Sequence, residues 1–196
     1  GASLIVVACN TASAAALHAL RQTFPSIPFV GMEPAVKPAA EQTQTGVVGV
    51  LATPATFQGA LYTSVVERFA SGVILLQDTC PGLVSQIEAG DLNGSATRHI
   101  LENALSPMLT QGIDTVVLGC THYPFVIPLI QSIVGPTVRV IDPAPAVARQ
   151  VKRVLEADQL SPTSLHTVST NSNTLRYITT GDPQTLKQLL HKLNFP

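Results

Sequence analysis

Two short apolar runs, each ending in a cysteine and followed at once by polar residues, constrain the fold more than any other feature. The first is VVACNTAS at residues 6–13, and the second is VVLGCTHY at residues 116–123. Each run is followed by a helical pattern, another short strand pattern and an acid–proline step, which is Glu33-Pro34 in the first copy and Asp142-Pro143 in the second. This weak internal repeat predicts two βαβ units related by pseudo-symmetry.

Short apolar runs alternate with helical patterns along most of the chain. The predicted strands are residues 3–8, 27–31, 47–51, 73–76, 115–118 and 138–141. The predicted helices are residues 12–22, 34–42, 56–69, 83–90, 95–110, 126–133 and 145–156. Such alternation is typical of α/β proteins in which helical crossovers join parallel strands, so we expect Rossmann-like parallel sheets.

The composition shifts after residue 158, where Ser, Thr and Asn become frequent. Residues 165–168 and 175–178 have the pattern of short edge strands, and residues 184–193 that of a closing helix. The alternative for this segment is a disordered tail. We favour ordered structure because LRYI and LKQLLHKL carry apolar faces.

Composition excludes several classes of protein. Hydrophobic residues make up 45% of the chain and charged residues 12%, with a net charge of −1, so a well-buried domain is expected rather than a disordered one. The basic residues are scattered and Trp is absent, which argues against a nucleic-acid partner. No apolar run is long enough for a membrane span, and no signal-peptide pattern is present. Three widely spaced cysteines without a C-x-x-C pair suit a reducing compartment, so we expect a cytoplasmic protein.

The two repeated turns carry the chemistry that the sequence predicts. In open parallel sheets, ligands bind outside the carboxyl ends of the strands, where Cys9 and Cys120 are expected. Each cysteine precedes a helix, whose backbone N–H groups and dipole would lower the thiol pKa toward neutrality. The neighbouring donors suit a bound carboxylate. They are Asn10, Thr11, Thr121 and His122.

Two thiols facing one pocket from opposite sides fit a reaction that inverts a stereocentre, in which one takes a proton from carbon and the other returns one. Three alternatives are less favoured: a zinc site, a nucleophilic pair of Cys120 with His122, and cysteines that only pack. The third cysteine, Cys80, precedes a proline and has no counterpart in the repeat, so we interpret it as a packing residue. No nucleotide-binding glycine motif is present.

The motifs ACNTAS and LGCTHYP, with GMEP, GVLAT, CPGLVSQIE, IDP and TTGDP, resemble those of the cofactor-independent glutamate racemases. The resemblance covers essentially the whole chain. It implies two pseudo-symmetric α/β domains in the aspartate/glutamate racemase fold, with the active site between them. It also implies reversible interconversion of L- and D-glutamate without pyridoxal phosphate or metal, and a role in supplying D-glutamate for peptidoglycan. Members are commonly dimers, so a homodimer is an expectation from the resemblance.

The resemblance also assigns roles to individual residues. Cys9 and Cys120 match the two acid/base cysteines, the first acting on D-glutamate and the second on L-glutamate. His122 matches a residue that assists the second thiol, and Glu88 matches a carboxylate proposed to assist near the ammonium group. The residues that match substrate-binding positions are Asn10, Thr11, Thr53, Thr56, Thr121 and His122.

The start of the chain departs from the family pattern, because the Asp-Ser-Gly turn and the Tyr-Gly pair are absent. Comparing the two halves of the repeat indicates that roughly 60–70 residues are missing upstream. We therefore expect an incomplete first domain formed by residues 1–36 and 149–196, and a second domain formed by residues 37–148. The parent protein is expected to be a racemase, and this chain to be weakly active or inactive.

Two other functions stay open from the sequence. One is a related amino-acid racemase, such as an aspartate racemase, which keeps two cysteines but usually lacks the CTHYP form. The other is a non-catalytic protein with a truncated racemase fold that binds a partner or a ligand.

Overall fold

The structure is a computed structural model that describes residues 2–157 and 175–193. The strands of the described residues are β1 (Ile5–Val6), β2 (Phe29–Val30), β3 (Val47–Leu51), β4 (Ile74–Asp78), β5 (Thr115–Leu118) and β6 (Arg139–Ile141). The helices are α1 (Asn10–Thr23), α2 (Val36–Gln42), α3 (Pro54–Phe57), α4 (Ala60–Phe69), α5 (Leu83–Glu88), α6 (Ser95–Thr110), α7 (Ile127–Val134), α8 (Ala144–Ala157) and α9 (Pro183–Lys192). A short 3-10 helix, Tyr123–Val126, leads into α7.

Four strands form the larger sheet, in the order β4-β3-β5-β6, and all neighbouring strands are parallel. The central strands β3 and β5 are buried almost throughout, as expected for strands covered by helices on both faces. Strand order changes direction between β3 and β5, since β4 lies on one side of β3 and β5 lies on the other. This switch point is where doubly wound sheets bind their ligands.

Two apolar clusters cover the two faces of this sheet. The larger cluster packs α5, α6, α7 and the 3-10 helix against the sheet, with Leu101, Leu105 and Tyr123 fully buried. The smaller cluster packs α2 and α4 against the other face, around Val36 and Tyr62. Burial on both faces fixes the strand ends, and with them the turns that follow β3 and β5.

The smaller sheet of the described residues contains β1 and β2, which are parallel. Helix α1 follows β1 and contacts α3 and α4, so it lies between the two sheets. Helix α8 contacts β2. The two sheets agree with the predicted pair of βαβ units, while the domain limits at residues 36 and 149 stay a prediction.

The predicted α/β architecture is confirmed, with strand 47–51, strand 115–118 and helix 95–110 at their expected bounds. The prediction of one continuous helix over residues 56–69 is wrong, because two helices cover this region. Thr53 caps a helix that begins with Pro54 and ends at Phe57, and Gly59 then takes an extended conformation that starts α4. The first strands are shorter than predicted, and α7 begins after a 3-10 turn instead of at residue 126.

The strand predicted at residues 175–178 is also wrong. These residues are exposed and pair with no strand among the described residues, so their apolar side chains contribute nothing to a sheet. The strand predicted at 165–168 lies outside the described residues. The closing helix is present as α9, capped by Asp182, which accepts hydrogen bonds from the backbone N–H groups of Gln184 and Thr185. No helix among the described residues is both long enough and apolar enough to cross a membrane.

Candidate active site

Three strand ends meet at the candidate site. Cys9 follows β1, Thr53 follows β3 and Cys120 follows β5, each within three residues of the last strand residue. Parallel strands place all their carboxyl ends at one edge of a sheet, and β3 and β5 flank the switch point. The two cysteines of the repeat therefore lie at the edges where the sequence predicted them.

Cys9 caps the first helix. Its backbone is extended, with φ −152° and ψ 127°, and its sulfur accepts a hydrogen bond from the backbone N–H of Ala12 at 3.5 Å. The side chain of a helix N-cap normally satisfies one of the free N–H groups of the first turn. In this helix the capping group is the partly exposed sulfur of Cys9.

Cys120 lies in a different environment, with only 8% of its surface exposed. Burial raises the pKa of its thiol, and a charge on Cys9 raises it further. Backbone N–H groups of His122 and Tyr123 act in the opposite direction but are outweighed. The expectation of a lowered pKa is therefore wrong for Cys120, because burial dominates and a 3-10 turn follows the cysteine instead of a full helix.

A chain of side chains leads away from Cys120. Its sulfur lies 3.8 Å from Nδ1 of His122, and Nε2 of the same ring lies 3.1 Å from Oε1 of Glu88. The carboxylate orients the ring, because a ring nitrogen that donates to Glu88 leaves the other nitrogen facing the sulfur. The side chains of His122 and Glu88 are 33% and 57% exposed, so the chain runs from the buried thiol to solvent.

Asn10 joins the two halves of the molecule. Its Nδ2 donates a hydrogen bond to the carbonyl oxygen of Gly119, the residue before Cys120, at 3.0 Å. The side chain is buried, and its Oδ1 has no hydrogen-bond partner within the part of the chain that the structure describes. A buried, unpaired amide oxygen is costly, and it is an acceptor available to a ligand.

Three threonine hydroxyls form a closed cluster beside α1. Thr11 Oγ1 lies 3.2 Å from that of Thr53 and 3.0 Å from that of Thr56, and the latter two lie 3.1 Å apart. The cluster brings together hydroxyls that lie more than 40 residues apart in the sequence. Thr121 lies elsewhere, in an apolar cleft of about 490 Å³ that Val6 and Met32 also line. Four of the predicted site residues thus take part in contacts between the two halves: Asn10, Thr11, Thr53 and Thr56.

Cys80 takes no part in these contacts. It is 2% exposed within the larger apolar cluster, as the packing interpretation expects, and burial raises its pKa strongly. Its φ of 43° is unusual for a residue other than glycine. Its backbone N–H donates to Asp78 Oδ1 at 2.7 Å, and this bond supports the turn.

Sequence reasoning missed Gly119, whose carbonyl receives Asn10. A Cβ at this position would lie 2.7 Å from the Cβ of Ala52 and 3.2 Å from the carbonyl oxygen of Leu51. The glycine therefore allows the ends of β3 and β5 to approach closely. The available signal was the Gly-Cys pair itself, since glycine in a strand often marks a close backbone approach. Among the described residues, no group of three or more His, Cys, Asp or Glu side chains could hold a metal ion.

Comparison with known proteins places these residues in a family. Residues 1–151 match the model of the Asp/Glu/hydantoin racemase family. Glutamate racemase from Roseiflexus sp. (strain RS-1) is 50% identical over 196 residues, which cover 100% of this chain and 71% of the relative. Glutamate racemase from Pseudomonas aeruginosa PAO1 is 49% identical over 97% of this chain and 69% of its own length.

Solved structures show the same fold. Glutamate racemase RacE1 from Bacillus anthracis matches with a TM-score of 0.77 at 28% identity, over 98% of this chain and 70% of that one. The Escherichia coli glutamate racemase, solved with L-glutamate and the activator UDP-MurNAc-Ala, matches with a TM-score of 0.73 at 32% identity, over 97% and 71% of the two chains. The chain described above belongs to the Asp/Glu/hydantoin racemase family and, within it, to the glutamate racemases.

Proposed function

We propose that this chain interconverts L- and D-glutamate, using the thiols of Cys9 and Cys120 as the two acid/base groups, without a bound cofactor. The D-glutamate formed would supply peptidoglycan synthesis. The observation that carries the proposal is the chain from Cys120 through His122 to Glu88, tied through Asn10 to the helix that Cys9 caps. Its relatives of about 50% identity are glutamate racemases, which supports the choice of substrate.

The reaction divides between the two thiols. With L-glutamate, the Cys120 thiolate removes the α-proton, so that an S–H bond forms as the Cα–H bond breaks. The electron pair passes into the substrate carboxylate, giving an enediolate. The Cys9 thiol then donates its proton to the opposite face of the carbon and becomes a thiolate. D-glutamate follows the reverse path, and each turnover leaves the proton on the other cysteine.

Burial of Cys120 makes its thiolate a stronger base for proton removal from the substrate. A thiol with a raised pKa is a stronger base once it has lost its proton, and the α-carbon is a weak acid that needs a strong base. The proton must leave Cys120 before the reaction begins. His122 lies against the sulfur and extends to a more exposed carboxylate, so we propose that it carries this proton to and from Glu88 and solvent.

The site must also stabilise the negative charge that develops on the substrate carboxylate when the α-proton is removed. The hydroxyls of Thr11, Thr53 and Thr56 are donors at the N-terminal end of α1, where the helix dipole also favours an anion. The unpaired Oδ1 of Asn10 is an acceptor suited to the substrate ammonium group. Thr121 lines the apolar cleft beside Val6 and Met32, and we propose it as a further substrate contact.

The proposal is tested by following the optical activity of L-glutamate, D-glutamate and L-aspartate with the purified chain, after circular dichroism has shown that the chain is folded. We expect weak racemisation of both glutamate enantiomers and little or none of aspartate. Cys9→Ser and Cys120→Ser should each lower the rate by about 100-fold to 10,000-fold, because a hydroxyl is a poor base. Cys80→Ser, outside the proposed site, is the matched control.

Other outcomes would favour the alternative functions. Faster turnover of aspartate would indicate a related amino-acid racemase. A folded chain that racemises neither amino acid would contradict the proposal and favour a non-catalytic binding protein.

A further inference from the structure

The last helix, α9, meets α5 at the end of α5 that carries Glu88. Glu88 is the final residue of α5, and the carbonyl oxygen of the next residue, Ala89, accepts a hydrogen bond from Lys192 Nζ at 3.0 Å. Within residues 2–157 and 175–193, this is the one hydrogen bond that joins α9 to another element. The two bonded residues lie 103 positions apart in the sequence.

The backbone after Ala89 is shaped to receive this lysine. Gly90 has φ +75°, and a Cβ built there would overlap Cδ and Nζ of Lys192. The lysine side chain therefore lies directly on the Gly90 backbone, in space that another residue type would fill. Gly90 has a second role, because it takes the left-handed conformation with which many helices terminate.

Charge favours the same arrangement. The free carbonyl groups at the end of α5 carry partial negative charge, and a lysine ammonium group is well placed there. Asp182 caps the start of α9, and this cap stabilises the helix that carries Lys192 in its last turn.

We propose that Lys192 is a positioning residue for the chain of Glu88, His122 and Cys120, an inference that rests on the function proposed above. The Glu88 side chain is 57% exposed, so little packing holds it. The position of the Glu88 carboxylate therefore depends mainly on the Glu88 backbone. Lys192 holds that backbone by donating to the carbonyl oxygen of the next residue, Ala89. By fixing the end of α5, Lys192 keeps the Glu88 carboxylate 3.1 Å from Nε2 of His122.

The first test observes the His122 ring without measuring activity. Ring-nitrogen NMR signals of His122 are compared in the full chain, in Lys192→Met and in Glu88→Gln, with His122→Gln to assign the signals. We expect Lys192→Met to move the signals from the wild-type position toward that of Glu88→Gln. Lys187→Met, an exposed lysine on the same helix, is the matched control and should leave the signals unchanged. Wild-type signals in Lys192→Met would overturn the proposal.

The second test is kinetic. Lys192→Met should lower kcat for L-glutamate by about threefold to tenfold and change KM by less than about twofold, since the carboxylate is displaced but the substrate contacts remain. Lys192→Arg should restore kcat, because a guanidinium group can donate to the same carbonyl. A kcat in Lys192→Met equal to that of Lys187→Met would contradict the proposal.

The two tests separate this inference from the proposed function. If the wild-type chain racemises nothing, the proposed function fails, while the His122 signals still show whether Lys192 positions Glu88. If Lys192→Met does not fold, Gly90→Ala removes the space for the lysine side chain and should produce the same movement of the His122 signals. Unmoved signals in folded Gly90→Ala would overturn the proposal.

Discussion

At the scale of single residues, the two repeated cysteines differ in exposure, although their sequence contexts are alike. Cys9 caps a long helix and is half exposed, while Cys120 is buried and has a raised pKa. The motifs predicted both positions, because an apolar run that ends in Cys marks a strand end. They did not predict the different environments, because the burial of Cys120 depends on side chains of α5 and α6, which share its apolar cluster but lie elsewhere in the chain.

The pairing of His122 with Glu88 predicts a kinetic effect. His122→Gln and Glu88→Gln should each lower kcat by about 10-fold to 100-fold, the histidine variant more, because the proton route from the buried thiol is interrupted. Steady-state kinetics with both glutamate enantiomers measures this. His99→Gln, a change in an exposed histidine on α6, is the control. Equal kcat values for Glu88→Gln and the control would exclude a role for the carboxylate.

Cys80 predicts how stability depends on pH. Its folded-state pKa is raised by burial, and its unfolded value is about 8.5, so its contribution is fully present below pH 8.5 and is lost as pH rises above it. Between pH 8.5 and 10, the free energy of unfolding of Cys80→Ala should fall by about 1 kcal/mol per pH unit less than that of the wild type. Urea unfolding across this range measures the slope. Parallel slopes would contradict the prediction.

At the scale of elements, the approach of β3 to β5 positions the site. Gly119→Ala should force the two strand ends apart, since the new Cβ would lie 2.7 Å from Ala52 Cβ. We expect a loss of about 1–3 kcal/mol in the free energy of unfolding and a marked fall in kcat, because Cys120 follows directly. Gly181→Ala, where the nearest atom is 3.4 Å away, should change neither by much. Denaturant unfolding and kinetics of both variants decide between these outcomes.

The opposite end of the sheet depends on Asp114. Its carboxylate accepts hydrogen bonds from the Thr43 hydroxyl, the Gln44 and Thr45 backbone N–H groups and the Thr115 hydroxyl. Desolvation, the largest single contribution, raises its pKa, but these bonds together outweigh it and hold the pKa at about 2.

Asp114→Asn should therefore cost about 1–2 kcal/mol at pH 7. The folded pKa lies below the unfolded value of about 3.9, so the wild-type advantage is present above pH 4 and is lost as pH falls through about 2. Urea unfolding at pH 7, 4 and 2.5 tests this prediction. The control is Glu102→Gln, which removes a surface ion pair with Arg98. A constant difference at all three values would show that the carboxylate charge is unimportant.

Strands with buried β-branched runs were the most predictable elements. Val47–Leu51 and Thr115–Leu118 were predicted at their exact bounds, because continuous apolar runs of that length favour buried parallel strands. The break between α3 and α4 was missed, since Gly59 alone interrupts an otherwise helical pattern. Residues 175–178 were wrongly predicted as a strand, because an apolar pattern predicts a strand even where no neighbouring strand pairs with it.

At the scale of the whole molecule, side-chain hydrogen bonds join the two halves, and the two sheets formed by the described residues are separate. Asn10 reaches Gly119, and Thr11 reaches Thr53 and Thr56, so the start of α1 bonds to the ends of β3 and β5. The internal repeat predicted that two similar turns exist, but not these contacts. The link between Glu88 and His122 was likewise not predictable from spacing, because it depends on how α5 packs beside the 3-10 helix.

The central claim, that two thiols act on opposite faces of one carbon, is tested most directly by racemisation of L-glutamate in D2O. Early in the reaction, the α-position of both the D-glutamate formed and the remaining L-glutamate is examined by NMR and mass spectrometry. Two bases predict deuterium in the product and none in the recovered substrate, because the donating thiol carries a solvent-derived deuteron. Equal deuterium in both would mean that one base serves both faces, and the account would be wrong.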